Sequence, residues 1–228
     1  MNFYFLWSWI GLAIAIFMIY LLFFTDKLRS RKISRFKDGA WYAWLPVPIY
    51  LLHQFEEYAC HITNGQFDIV SRFFTGNLPF DTSNLPLEHF PLVNISLVWF
   101  GAPLAAILFR KNPVIGFSYF GFMFLNGITH FAGGLNPAEN PGVVTGVFLF
   151  IPSAIYMIIL SAKEKILSTQ QIILAFMSGI LAHIFLFFVY FLAPLGKVLV
   201  FVGDILCGFA PIIFAYFGGK IFHRKFIF

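Results

Sequence analysis

The run His53-Gln54-Phe55-Glu56-Glu57-Tyr58-Ala59-Cys60-His61 places two imidazoles, two adjacent carboxylates and a thiol within nine residues. On a helix, at about 100° per residue, Glu56 and Glu57 fall within roughly 60° on either side of the His53 direction and His61 near +80°, so these four share one broad face. Two carboxylates one residue apart repel each other if both ionise, so the run calls for a cation, a shared proton or both. Elsewhere, Asn126 and His130 stand one helical turn apart, and His183 and Asp204 each interrupt a long apolar stretch. Imidazole and carboxylate together form the donor set of zinc and non-haem iron, and equally of a proton relay.

What must hold these groups is a membrane. The chain has 228 residues, of which 60% are hydrophobic, 21% aromatic and 11% charged. Soluble proteins carry charge on about a quarter of their residues, so a water-soluble enzyme is excluded, and this much apolar surface also excludes a disordered chain. The net charge of +5 is read as charge flanking a bilayer rather than as affinity for nucleic acid. Cys60 and Cys207 make no disulfide framework. Apolar stretches long enough for the roughly 30 Å hydrocarbon core lie near 3–24, 40–62, 92–109, 113–132, 142–161, 170–193 and 197–221. The expected fold is therefore an all-α bundle of seven transmembrane helices forming a single domain over 1–228, with membrane lipid as its solvent and the plasma (inner) membrane as its location. Thirteen of the fifteen Lys and Arg residues fall on one side of seven alternating spans, leaving Arg72 and Lys197 on the other. The positive-inside bias then puts the N-terminus outside and the C-terminus in the cytosol. The one sizeable outer connection, 63–91, holds Phe67, Val70, Phe73 and Phe74 at helical spacing. It reads as a loop over the bundle or as an interfacial helix serving as a lid.

Counting from the cytosolic boundaries gives depth. His53, Asn126 and His183 each lie thirteen residues above Ala40, Pro113 and Gln170, about 20 Å up at 1.5 Å per residue. Asp204 reaches a similar level, seven residues down from Lys197. Four helices thus offer metal-compatible groups in one layer, as bundle metal sites do. Each has a structural alternative: His183 as an interhelical hydrogen-bonder, Asp204 as the partner of a histidine, Asn126 as a packing or second-sphere amide, and the His53/Glu56/Glu57 group as a salt-bridge knot.

His53-Gln54-Phe55-Glu56-Glu57 resembles the defining pattern of the HXXEE domain family of integral membrane proteins, and Asn126-Gly127-Ile128-Thr129-His130 is similar to an Asn-x-x-x-His element associated with it. Pro141 to Thr145, opening the fifth span, also looks like family members. The resemblance implies a polytopic membrane protein with metal-dependent chemistry and brings no known reaction.

A catalytic zinc takes three ligands from His and Glu or Asp and leaves a place for water. The metal ligands expected are His53, His130, Glu57 and, from the same layer, His183. The catalytic groups expected are Glu56 or Glu57 as general base and Asp204 as an orienting or charge-stabilising group, with His61, Asn126 and Thr145 in second-sphere or substrate-binding places. A polar site in the outer half of an apolar bundle suits a lipid ester or amide, so the leading expectation is an intramembrane metal-dependent lipid hydrolase. The alternatives are an iron-dependent lipid oxidation enzyme and a proton- or cation-coupled transporter or relay.

Overall fold

The computed structural model describes residues 3–30, 33–59, 62–63, 66–67, 85–137 and 139–225. Its helices are α1 (Phe3–Phe24), α2 (Pro46–Tyr58), α3 (His89–Leu108), α4 (Pro113–Ala132), α5 (Val143–Lys163), α6 (Thr169–Tyr190) and α7 (Lys197–Lys225). A two-residue antiparallel ladder pairs Ile62–Thr63 with Gln66–Phe67. All helices but α2 are long and apolar enough to cross a membrane, which makes the chain a multi-pass helical membrane protein. The interfacial helix expected in the 63–91 connection, with Cys60 and His61, lies outside the described residues apart from Gln66 and Phe67, which pair as strand.

Local chemistry explains where the helices depart from the expected spans. The second span, expected as one helix over 40–62, is a single helical turn at Gly39–Tyr42, a tight turn, and then α2, which stops at Tyr58. Pro46 and Pro48 are the cause: neither has an N–H to give, and each ring crowds the carbonyl four residues back. The chain tightens there, with Trp44 N–H bonding to the Trp41 carbonyl (3.2 Å) and Val47 N–H to that of Trp44 (3.2 Å). Two other prolines act in the opposite sense. Pro103 and Pro152 follow π-helical stretches at Ile95–Gly101 and Gly146–Phe150, where the ladder slips by one residue as it meets a position that cannot donate. α3 starts at His89, three residues before the expected boundary, and so takes in a histidine that the hydropathy pattern leaves outside.

α4 is the central rod. Its Phe117, Phe120, Phe122 and Met123 are completely buried, and it lies closely against α6. A Cβ on Gly121 would meet the Phe176 carbonyl, and one on Gly179 would meet the backbone of Ser118 and Phe122, so only glycine lets these backbones approach so closely, as small residues do at membrane helix crossings. α1 lies at the edge, packed on α2 through Trp7 and Tyr58 (5.0 Å between centroids), with Phe17, Tyr20 and Phe24 exposed.

One end of the bundle gathers the connections after α1, α3 and α5. Lys37 Nζ lies 3.5 Å from Glu164 Oε1, and Tyr156 Oη donates to the Phe36 carbonyl (3.0 Å). Helix starts at this end are capped by Asp38, Asn112 and Ser168, the last in a capping box with Gln171. The C-terminal ends of α2 and α4 and the start of α5 meet at the opposite end, and the candidate site is there.

A candidate metal centre

His53 and Glu57 are four residues apart on α2, about 40° apart around its axis, so both point the same way. His130, in the last turn of α4, faces them. One donor atom from each of His53, Glu57 and His130 lies within 4.8 Å of the other two. Glu57 Oε1 is 3.6 Å from His53 Nε2 and 3.3 Å from His130 Nε2. The two rings stand nearly perpendicular, at 83° with centroids 4.8 Å apart. The His53 side chain is fully enclosed and that of His130 nearly so, while Glu57 keeps 15% of its side-chain surface open.

Hydrogen bonds assign the tautomers. Thr145 Oγ1 lies 2.6 Å from Glu56 Oε2 and 3.3 Å from the Gly142 carbonyl. Its single proton goes to the nearer, charged acceptor, so the oxygen receives the Nδ1–H of His53 at 2.8 Å. His130 Nδ1 lies 2.9 Å from Asn140 Oδ1. The amide orientation is set because Asn140 Nδ2 donates to the carbonyls of His130 and Gly134, both at 2.6 Å. His130 therefore also carries its proton on Nδ1. Both Nε2 atoms are turned toward one carboxylate oxygen, that of His130 within hydrogen-bonding distance of it, and His53 Nε2 is buried with no hydrogen-bond partner. Glu57 Oε1 thus faces two imidazole nitrogens at once, an arrangement that a shared proton or a bound cation satisfies.

The spacing suits ligands of a single ion. Metal–ligand bonds of about 2.0–2.1 Å at tetrahedral angles put neighbouring donors about 3.3–3.4 Å apart, and the longer bonds of about 2.3–2.6 Å around a larger ion give a similar spacing. The separations of 3.3 and 3.6 Å fall in the range that neighbouring ligands of one ion keep.

Glu56 diverges from this face. Its carboxylate accepts Val144 N–H (3.0 Å), Thr145 N–H (2.8 Å) and the Thr145 hydroxyl, which places a negative charge on the free N–H groups at the start of α5. It anchors α5 to α2 and, through Thr145, fixes His53. Gly142 completes the enclosure with φ +89°, and a Cβ there would lie 2.8 Å from Glu57 Cγ and His53 Cε1 and 2.9 Å from His130 Cε1. Phe150, from the π-helical stretch of α5, packs on His53 at 4.4 Å.

The remaining candidates lie outside the cluster. Asn126 is a turn below His130 and donates to Tyr50 Oη (3.5 Å), whose ring abuts His53. His183 is packed between Phe122 (4.6 Å) and Phe187 (5.1 Å) and contributes no donor to the group. Asp204 pairs with His89 at 2.8 Å, both fully buried, with Tyr190 against the imidazole (5.3 Å). His61 is outside the described residues. Two partners escape sequence reasoning. His89 sits beyond the hydropathy boundary, and Asn140 falls in an Asn-Pro-Gly run that reads only as a turn.

The fold and this cluster define a polytopic helical membrane protein with two histidines and a carboxylate gathered at one end of its bundle. The chain belongs to the family described as proteins of unknown function with an HXXEE motif, the match running over residues 44–157. That stretch contains the three clustered residues and their supports Glu56, Asn140 and Thr145, while His183 and Asp204 lie beyond it. No curated protein and no solved structure matches the chain.

Proposed function

We propose that the protein is a seven-span zinc hydrolase of the plasma (inner) membrane that cleaves a lipid ester or amide. The observation that carries this reading is the convergence of His53 Nε2, His130 Nε2 and Glu57 Oε1 in one enclosed group. The path of the chain supports the seventh crossing. The helical stretch from Gly39 to Tyr58 starts at the end that holds the Lys37–Glu164 pair and finishes beside Gly142, and its nineteen steps span about 28 Å at 1.5 Å each. With seven crossings the basic connections lie together in the cytosol, and the N-terminus and the cluster lie outside.

A lipid substrate is supported by the surroundings of the opening. Val144, whose N–H holds Glu56, begins an exposed stripe on α5 that continues through Phe148 and Ile155, so an acyl chain in the bilayer has an apolar track leading to Glu57.

Bound zinc supplies a water whose pKa is near 7 and an electrophile for the carbonyl oxygen. His53, His130 and Glu57 would hold it, and Thr145 with Glu56, and Asn140, would keep the two imidazoles in the ligating tautomer. The Glu57 side chain keeps 15% of its surface open, and its second carboxylate oxygen would accept the proton as water oxygen adds to the acyl carbon. The same proton then passes to the departing oxygen or nitrogen as the acyl bond breaks. Metal analysis of detergent-purified protein tests the reading. The expected result is about one zinc per chain for wild type and loss of the metal in His53→Ala and Glu57→Gln, with release of a fatty acid from a lipid extract by wild type alone. Wild type without metal, or mass gain by oxygen in place of acyl loss, refutes it.

A further inference from the structure

We infer that the opposite, basic end of the bundle carries a separate site for the phosphate group of an anionic membrane lipid, set between the ends of α1 and α3. A cavity of about 270 Å³ there is lined by Lys27, Ala40, Trp44, Ala106, Ile107 and Arg110, among others. Its two cations come from different connections, and neither has an acidic partner among the described residues. The neighbouring cations are already paired: Arg29 and Arg35 with Asp26, and Lys37 with Glu164. Two unneutralised charges facing one cavity repel each other, and a bound phosphate relieves that repulsion.

The apolar side of the cavity identifies the source of the phosphate. Phe100, Leu104 and Ile107 are spaced four and three residues apart on α3 and are all exposed, Phe100 and Ile107 at 61%. They form a stripe that leaves the cavity along the helix, and Trp44, half-buried at the rim, is of a type that favours the headgroup level. A free phosphate makes no use of that stripe, whereas a phospholipid places its headgroup between Lys27 and Arg110 and an acyl chain along α3. This site is independent of the metal cluster and lies at the other end of the molecule.

The test is native mass spectrometry of full-length, delipidated protein in detergent, titrated with phosphatidylglycerol, with phosphatidylcholine, and with phosphatidylglycerol in the presence of inorganic phosphate. Phosphatidylglycerol is expected to bind in preference to phosphatidylcholine and to resist displacement by phosphate. At about 1 kcal/mol for each cation near the surface, Arg110→Gln weakens it about fivefold and the double variant Lys27→Gln/Arg110→Gln roughly 30-fold, whereas Lys111→Gln, which removes a neighbouring charge outside the cavity, changes it by less than about twofold. Lys27→Glu, at an exposed side chain, replaces Arg110→Gln should that variant fail to elute as a single species. Equal binding of the two lipids, an equal loss in Lys111→Gln, or ready displacement by inorganic phosphate overturns the assignment.

Discussion

Thr145→Val isolates the support of His53 from its packing, because valine keeps the shape of threonine and removes only the hydroxyl. In the wild type that hydroxyl accepts from His53 Nδ1 at 2.8 Å and donates to Glu56 at 2.6 Å. Without it, Glu56 still holds Val144 N–H and Thr145 N–H, so α5 stays tethered. The buried Nδ1–H is left with no acceptor, at a cost of about 1–3 kcal/mol. The ring can avoid this by moving its proton to Nε2, where Glu57 Oε1 stands 3.6 Å away, but this removes the lone pair that would ligate. Either way the loss falls on metal affinity, at about 10–100-fold, which corresponds to about 1.4–2.8 kcal/mol and agrees with the hydrogen-bond estimate. The metal-free protein, free to choose the second tautomer, changes little in melting temperature. Competition with a chromophoric zinc chelator measures the affinity, and Thr145→Ser, which keeps the hydroxyl, is expected to remain within about threefold of wild type. Unchanged affinity in Thr145→Val, or equal losses in the valine and serine variants, refutes the tautomer argument.

Gly142→Ala is expected to release the metal and lower the melting temperature. The left-handed backbone disfavours a side chain by about 1–2 kcal/mol, and the new methyl group would press on Glu57, His53 and His130 together; metal content and thermal unfolding measured together check both effects. His89→Ala leaves Asp204 buried with neither oxygen paired, since Oδ2 already has no hydrogen-bond partner. Thermal or denaturant unfolding should then show a loss of about 3–5 kcal/mol with zinc content unchanged, and a parallel loss of zinc would make the two clusters one site. Acidification is expected to weaken zinc binding, because each histidine must be deprotonated to ligate, by up to about tenfold per pH unit for each proton displaced. Chelator competition across a pH series reads this, and a flat profile contradicts imidazole ligation.

Helical periodicity and hydropathy determine much of this protein before any folding is considered. Segments of about 20 apolar residues must be helices in lipid, and on such a helix His53 and Glu57, four apart, must share a face. Depth is also accessible from sequence, because rise per residue is constant, and counting it brings Asn126, one turn short of His130, to the level of His53. What counting cannot supply is the rotation of each rod about its axis, which is set by packing with its neighbours. That rotation turns His183 between Phe122 and Phe187, and the same packing pairs Asp204 with His89. Nor does spacing within α2 distinguish Glu56 from Glu57. Only the start of α5, arriving from a distant part of the chain, draws Glu56 to its free N–H groups and leaves Glu57 to the imidazoles. Asn140 is subject to the same limit, because a loop carries no periodicity, and its partnership with His130 exists only where the chain turns back at Gly134 and Gly142.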